Sequence, residues 1–222
     1  MANEDTRAGV RYADAKILDW TNRAHIKHDK ALDAAARASE TDGLPAIHLG
    51  PSEAKLLHLL AGMIGAKKVV EIGTLAGYTA IWLARALPED GTLYCLELDE
   101  HAASVARRNL EAAGLGDRSR VIVGPALEGL REIASEGPFC MVFIDADKAG
   151  YAEYARQTIA LLREGGLLVG DNCFLFGRLL DEGDPAAISM RSFHQEVAFA
   201  LESTCVPTPD GLVIGRKISN AT

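Results

Sequence analysis

The sequence predicts an α/β fold with a mostly parallel sheet, and three observations carry that prediction. From residue 67 onward, apolar β-favouring runs alternate with amphipathic helical stretches. The first run, residues 67–73, feeds a turn bounded by Gly73 and Gly77 and then a helix, the opening unit of a nucleotide-binding α/β sheet. Two later runs, 139–144 and 166–170, stop abruptly at Asp145-Ala146-Asp147-Lys148 and at Asp171-Asn172. Such runs suit strands buried on both faces, and open α/β sheets bind ligands at the carboxyl ends of their strands. Asp145, Asp171 and Asn172 are therefore expected to meet across neighbouring strands, as a cation site beside a cofactor site.

The bulk numbers suit one domain spanning residues 1–222. The chain is 48% hydrophobic, enough for a sizeable core, and no linker, repeat or low-complexity tract interrupts it. A formal charge of -8 argues against binding to phosphate backbones or anionic membranes, so nucleic acid is disfavoured and small-molecule partners fit better. No apolar run reaches the roughly 18 residues of a membrane span. The start Asn3-Glu4-Asp5 lacks the pattern of a secretory signal, and a cytoplasmic protein is expected. Cys95, Cys140, Cys173 and Cys205 form no C-x-x-C pair and have no histidine cluster nearby, so free thiols and no zinc are expected.

Taken in order, residues 1–45 form a helical arm in which Tyr12, Ile17, Leu18, Trp20, Ile26 and Leu32 are scattered among polar residues. Turn residues at 39–45 end it. The arm reads as a lid over a site or a contact with a partner subunit. His25 and His28, three apart on one helix face, suit a solvated face better than a metal clamp. His48 lies where a loop enters a helix, in reach of either packing or substrate. Pro51 opens that helix, Leu56, Leu57, Leu59, Leu60, Met63 and Ile64 give it an apolar face, and Gly65 ends it.

The turn after the first strand reads Gly73-x-x-x-Gly77, not the G-x-G-x-x-G that seats a pyrophosphate. Glu71, two positions before Gly73, would repel a pyrophosphate but suits a cationic ammonium group, which favours S-adenosylmethionine over a nicotinamide dinucleotide. Glu97 ends the second strand, 92–97, where an acid can accept hydrogen bonds from both ribose hydroxyls. A helix over 100–113 stops at Gly114 and a third strand covers 120–124. Gly124-Pro125-Ala126-Leu127 then turns into a helix whose first residues border an adenine ring. The fourth strand, 139–144, leads to a helix over 151–163, where Tyr154 either packs on a cofactor or joins the core. Residues 173–190 read as a loop in which Phe174 and Phe176 either sandwich a flat ring or cap the core. A helix over 187–202 and a closing β-hairpin complete the chain.

As a set, Glu71-Ile72-Gly73-Thr74-x-x-Gly77-Tyr78-Thr79, Gly124-Pro125-Ala126-Leu127, Phe143-Ile144-Asp145-Ala146-Asp147-Lys148 and Gly170-Asp171-Asn172 resemble the cation-dependent class I O-methyltransferases. That family includes catechol and caffeoyl-CoA O-methyltransferases. The resemblance runs from His48 to the C-terminus. It implies a Rossmann-like class I methyltransferase fold: a mostly parallel seven-stranded sheet, an antiparallel C-terminal hairpin and helices on both faces. It implies that Glu71, Gly73 and Thr79 hold the methionine part of S-adenosylmethionine, Glu97 its ribose and Ala126 its adenine, with further contacts from Asp145, Asp147 and Tyr154. It assigns a divalent cation to Asp145, Asp171 and Asn172, the role of base to Lys148, and a homodimer in which the arm contributes to the site. Two departures touch the acceptor side: Cys173-Phe174-Leu175-Phe176-Gly177 lacks the tryptophan of the plant branch, and residues 47–51 lack its acidic pattern. A plant-type thioester acceptor is therefore not expected.

The implied chemistry has a stated size. A phenol of pKa ~10 is mostly protonated at pH 7, and making its anion costs about 4 kcal/mol. A divalent cation offsets that, and two carboxylates with an amide oxygen favour Mg2+ or Mn2+ over Ca2+. A nearby dication would help Lys148 accept the hydroxyl proton, and Asp147 would oppose it. The expected acceptor is a small vicinal dihydroxy-aromatic. The competing readings are methylation of a hydroxylated tRNA base, cofactor binding without catalysis, and a nicotinamide oxidoreductase.

Overall fold

The computed structural model describes residues 13–219; the expectations placed on Tyr12 and on Asn3-Glu4-Asp5 lie outside them. The helices are α1 (Ala15–His25), α2 (Lys30–Ala36), α3 (Ala38–Thr41), α4 (Pro51–Met63), α5 (Tyr78–Ala86), α6 (Glu100–Ala112), α7 (Ala126–Glu132), α8 (Tyr151–Leu161) and α9 (Pro185–Ala200). The strands are β1 (Lys68–Ile72), β2 (Thr92–Glu97), β3 (Ser119–Val123), β4 (Phe139–Ile144), β5 (Leu162–Gly170), β6 (Glu202–Val206) and β7 (Leu212–Arg216). They form one seven-stranded sheet ordered β3-β2-β1-β4-β5-β7-β6. β1 to β5 run parallel, β7 is antiparallel to β5, and β6 pairs antiparallel with β7, as the sequence predicts.

Strand residues alternate between two apolar layers because successive side chains point to opposite faces. Val69, Leu93, Met141 and Val169 pack under α4 and α5 with Leu57, Ala61, Ile81 and Leu83. Val70, Tyr94, Val142 and Leu168 pack under α7, α8 and α9 with Leu130, Tyr151, Phe193 and Val197. β1 has β2 on one side and β4 on the other, so the strand order reverses there, which places a crevice at their carboxyl ends.

Four boundaries differ by two residues or more from the sequence reading. The helix expected to reach 163 ends at Leu161, and β5 begins at Leu162, four residues before the predicted 166. A register irregularity between Phe139 and Met141 absorbs Gly165 (φ +71) and Gly166, letting the strand resume past the bulge. The last helix begins at Pro185 because the Asp184 carboxylate accepts from Ala186 N, and it stops at Ala200, leaving Glu202 to β6. α1 ends at His25, so His28 is outside it and the two histidines share no helix face. His28 Nε2 instead lies 2.8 Å from Tyr78 Oη, and Asp29 pairs with Arg85 at 2.5 Å, tying the arm to α5. Leu32 and Ala35 of α2 enter the core, whereas α1 has no buried residue and exposes Ile17, Leu18 and Trp20. Among the described residues no helix is long and apolar enough to cross a membrane.

Gly73 sets how closely the ends of β1 and β4 approach. It has φ +87, and a Cβ there would lie 2.0 Å from the Asp145 carbonyl oxygen, a backbone atom that cannot yield locally. Gly73→Ala is expected to destabilise the protein by about 3 kcal/mol or more, combining left-handed strain with overpacking. A urea midpoint unchanged from wild type would show that the two strand ends are not so constrained.

Candidate active site

A cavity of about 1340 Å³ opens over the carboxyl ends of β1, β2, β4 and β5. At one end lie Pro125, Ala126, Glu128 and Arg131; at the other are Glu53, Phe174, Phe176 and Asp210, with Asp145, Lys148, Asp171 and Asn172 also on its wall. The side chains that matter come from strand ends and the turns after them, where the backbone leaves the sheet and its polar groups are free to face a ligand.

The turn after β1 is held by carboxylates. Glu97 Oε2 accepts from Thr74 N at 2.9 Å and Leu75 N at 2.7 Å, and its Oε1 accepts from Asp99 N at 3.0 Å. Leu75 (φ 50) and Gly77 (φ 83) give the turn its left-handed corners. Gly73, Thr79, Glu97 and Ala126 all line the cavity. Glu71 is fully buried behind the turn and is absent from the cavity wall. Its Oε2 accepts from Thr74 Oγ1 at 3.0 Å, while Oε1 has no hydrogen-bond partner among the described residues. Burial pushes its carboxyl up to about 8, with the Glu97 and Asp145 charges adding to the effect.

After β4 the chain makes a tight turn that divides the acids. Asp147 caps it, with Oδ2 accepting from Gly150 N at 2.9 Å and Oδ1 from Tyr154 Oη at 2.5 Å. Tyr154 is both a core residue and part of the cavity wall. Burial and the Asp147 charge raise its hydroxyl pKa. Lys148 Nζ donates to Asp145 Oδ1 and to Tyr151 Oη, both at 2.9 Å. Tyr151 is fully buried and its hydroxyl faces the carbonyls of Asp171 at 2.9 Å and Ile144 at 3.1 Å. Its pKa is raised well above the ordinary tyrosine value, first by burial and then by Asp145. It therefore stays protonated and acts as a fixed prop for the lysine.

Asp171 continues from β5, with its N–H on the Ile144 carbonyl at 3.0 Å, which brings it alongside Asp145. It is 5% exposed, its Oδ1 is buried without a partner among the described residues, and its carboxyl is pushed up to about 7 by burial, with Asp145 adding to the rise. Asn172 follows at φ 54, a conformation asparagine tolerates better than most residues. A buried carboxylate oxygen lacking a donor, beside a second carboxylate, fits a cation. Among the described residues no three His, Cys, Asp or Glu side chains converge as a metal cage; the donor set here is two carboxylates and an amide. Cys173 is buried and its thiol pKa is raised by burial, and all four cysteines are free.

Glu53 and Asp210 reach the cavity without having been singled out in the sequence. Glu53 looks like an ordinary acid in a helix's first turn, and Asp210 like a turn residue. Only the contact between the start of α4 and the β6–β7 turn brings them to this wall. His48 lines the cavity and packs on Tyr78 with ring centroids 5.1 Å apart. Phe174 closes on Gly211, where a Cβ would meet its ring at 2.7 Å, while Phe176 is 67% exposed at the mouth.

The model of a family described as O-methyltransferase matches residues 24–218. The chain belongs to the O-methyltransferase family. Within it, the chain is 44% identical over 170 residues to a catechol O-methyltransferase of Niastella koreensis, covering 75% of this chain and 77% of that one. It is 43% identical over 195 residues to a catechol O-methyltransferase of Mycobacterium tuberculosis, covering 86% of each. The crystal structure of the O-methyltransferase TomG from Streptomyces achromogenes, in complex with SAM, matches with a TM-score of 0.88 at 33% identity over 98% of this chain and 100% of that one. The fold is thus the Rossmann-like methyltransferase fold that the motifs imply.

Proposed function

We propose that this O-methyltransferase moves the methyl group of S-adenosylmethionine to one hydroxyl of a small vicinal dihydroxy-aromatic, with a divalent cation held by Asp145, Asp171 and Asn172. The observation that carries the reading is the unpartnered, buried Asp171 Oδ1 beside Asp145 and the Lys148–Tyr151 pair. The names of the two curated relatives and the SAM bound to the solved relative support it.

When bound, S-adenosylmethionine supplies a methyl group on a sulfonium and the cation supplies the charge that makes a phenol acidic near neutrality. Gly73 and Thr79 would hold the methionine part, with Glu71 acting on its ammonium group from behind the turn, Glu97 would hold the ribose and Ala126 the adenine. Asp145 would serve both the cation and the cofactor, and Asp147 and Tyr154 would close the cofactor side. Lys148 Nζ, held between Asp145 and Tyr151, would act as the neutral amine: having released its own proton to solvent when the cation takes over Asp145, it would take the acceptor's hydroxyl proton and become the ammonium as the C–S bond breaks and the C–O bond forms. The Tyr151 prop gives a direct check. Tyr151→Phe is expected to lower kcat by about 10- to 100-fold while leaving cofactor affinity in place, as for loss of a supporting hydrogen bond. An unchanged kcat would remove Tyr151 from the mechanism.

The experiment for the whole reading is methyl transfer from labelled cofactor to catechols, flavonoids and hydroxylated nucleosides, with and without Mg2+. Turnover of catechols that stops in a chelator and returns with Mg2+ is expected. Full activity in the chelator overturns the cation's role, and turnover of nucleosides alone favours the tRNA-base reading.

A further inference from the structure

We infer that Glu53 and Asp210 make this active site select its acceptor by charge, taking catechols whose ring substituent is neutral or carries an ammonium group and rejecting those that carry a carboxylate. The inference rests on the proposed function and names the substrate class within it.

Among the described residues, Glu53, Asp145, Asp171 and Asp210 all line the cavity, and Lys148 and Arg131 are its basic residues. Arg131 lies on α7, away from the acceptor end, and Lys148 is bonded to Asp145. His48, the remaining titratable group there, packs on Tyr78. A dication would cancel the charges of Asp145 and Asp171. The lysine would be matched by the acceptor's reacting oxygen. Glu53 and Asp210 would then be left without a countercharge among the described residues.

Both carboxylates are fixed in place. The Gly50 N–H and the Thr208 hydroxyl bond to Glu53, and a Cβ at Gly50 would lie 2.6 Å from Glu53 Oε2, so glycine is what lets the carboxylate fold back there. Asp210 Oδ1 accepts from Phe176 N at 2.8 Å, which anchors it to the backbone at the cavity mouth. Two oxygens at this end are buried with no partner, Asp210 Oδ2 and Asp171 Oδ1, the latter on a side chain almost fully buried. Burial raises the Glu53 carboxyl, with Asp145 and Asp210 adding to the rise, so these acids sense one another across a poorly solvated space. An ammonium on the ring substituent would meet an unsatisfied acceptor there, and a carboxylate would meet like charge.

The experiment compares three catechols differing only in the substituent opposite the reacting pair: aminoethyl, ethyl and carboxymethyl. Full-length protein with S-adenosylmethionine and Mg2+ is expected to show kcat/KM at least about tenfold higher for the aminoethyl than for the carboxymethyl compound. Glu53→Gln and Asp210→Asn should each shrink that ratio, and together bring it near one. Calorimetric binding of the same compounds, with S-adenosylhomocysteine and Mg2+ present, should give the same rank. Equal or better use of the carboxymethyl compound, or a ratio unmoved in folded variants, overturns the inference. If none of the three is methylated, the proposed function fails; the binding ranks still decide the charge selection.

Discussion

Asp171→Ala is expected to lower kcat/KM for a catechol acceptor about a thousandfold, with the cofactor still bound. The size follows from the step affected. A phenol of pKa ~10 needs about 4 kcal/mol to become an anion at pH 7, and losing that assistance lowers the rate by about three powers of ten. Asp171 is the right residue to remove because its Oδ1 is the buried group lacking a partner, while Asp145 already has Lys148 as a countercharge. The structural effect should be opposite in sign. Burial and the neighbouring Asp145 hold the Asp171 carboxyl up at about 7, so taking the charge away relieves the apoprotein. Chelation of wild-type enzyme should match the activity loss, and Mg2+ should restore wild type but not the variant. A variant that stays within tenfold of wild type in Mg2+, with normal stability, would take Asp171 out of the cation site.

What the sequence made legible follows from how local each signal is. The strands and the acids at their ends were readable because a buried parallel strand is a continuous apolar run, and its last residue faces the ligand crevice whatever the rest of the fold does. Asp145, Asp171 and Asn172 each sit one or two residues past such a run, and β4 and β5 pair in the register that aligns them. The helix ends were less readable because the capping side chain decides them, as Asp184 does for α9 and the glycine bulge does for the start of β5. Glu71 was legible by position but not by environment: its motif marks it as cofactor-facing, whereas the structure buries it behind the turn with Thr74. Glu53 and Asp210 carried no local signal, since α4 and the β6–β7 turn meet only in the folded chain. The same holds for His28, whose partner Tyr78 is 50 residues away.

Glu71 gives the second large effect, and it appears in stability. Its carboxyl has an ordinary value of 4.5 and is pushed up to about 8 in the folded protein, chiefly by burial. The folded state therefore keeps a proton that the unfolded chain has released. Stability from this group is fully present below about 4.5, falls as pH rises toward 8, and levels off above it. Each pH unit across that window is worth about 1.4 kcal/mol. Asp171, up to about 7, and Glu53, also raised by burial, act with the same sign, so the Glu71→Gln variant is what isolates the share of Glu71 between 7 and 8. The exposed acids with lowered values, Asp42 and Asp90, titrate below their ordinary 3.8 and leave this window untouched. Urea midpoints of the ligand-free protein should drop between pH 6 and 8, and Glu71→Gln should flatten the curve from 7 to 8. That variant should be more stable than wild type at pH 8 and bind S-adenosylmethionine about tenfold or more weakly, because the amide removes a negative charge buried directly behind the turn that would seat the ammonium group. Saturating cofactor should stabilise wild type more at pH 8 than at pH 6, since it supplies the positive charge that the buried carboxylate lacks. A midpoint independent of pH across this range, or a variant that keeps the wild-type slope above 7, would mean that Glu71 is already ionised in the empty protein.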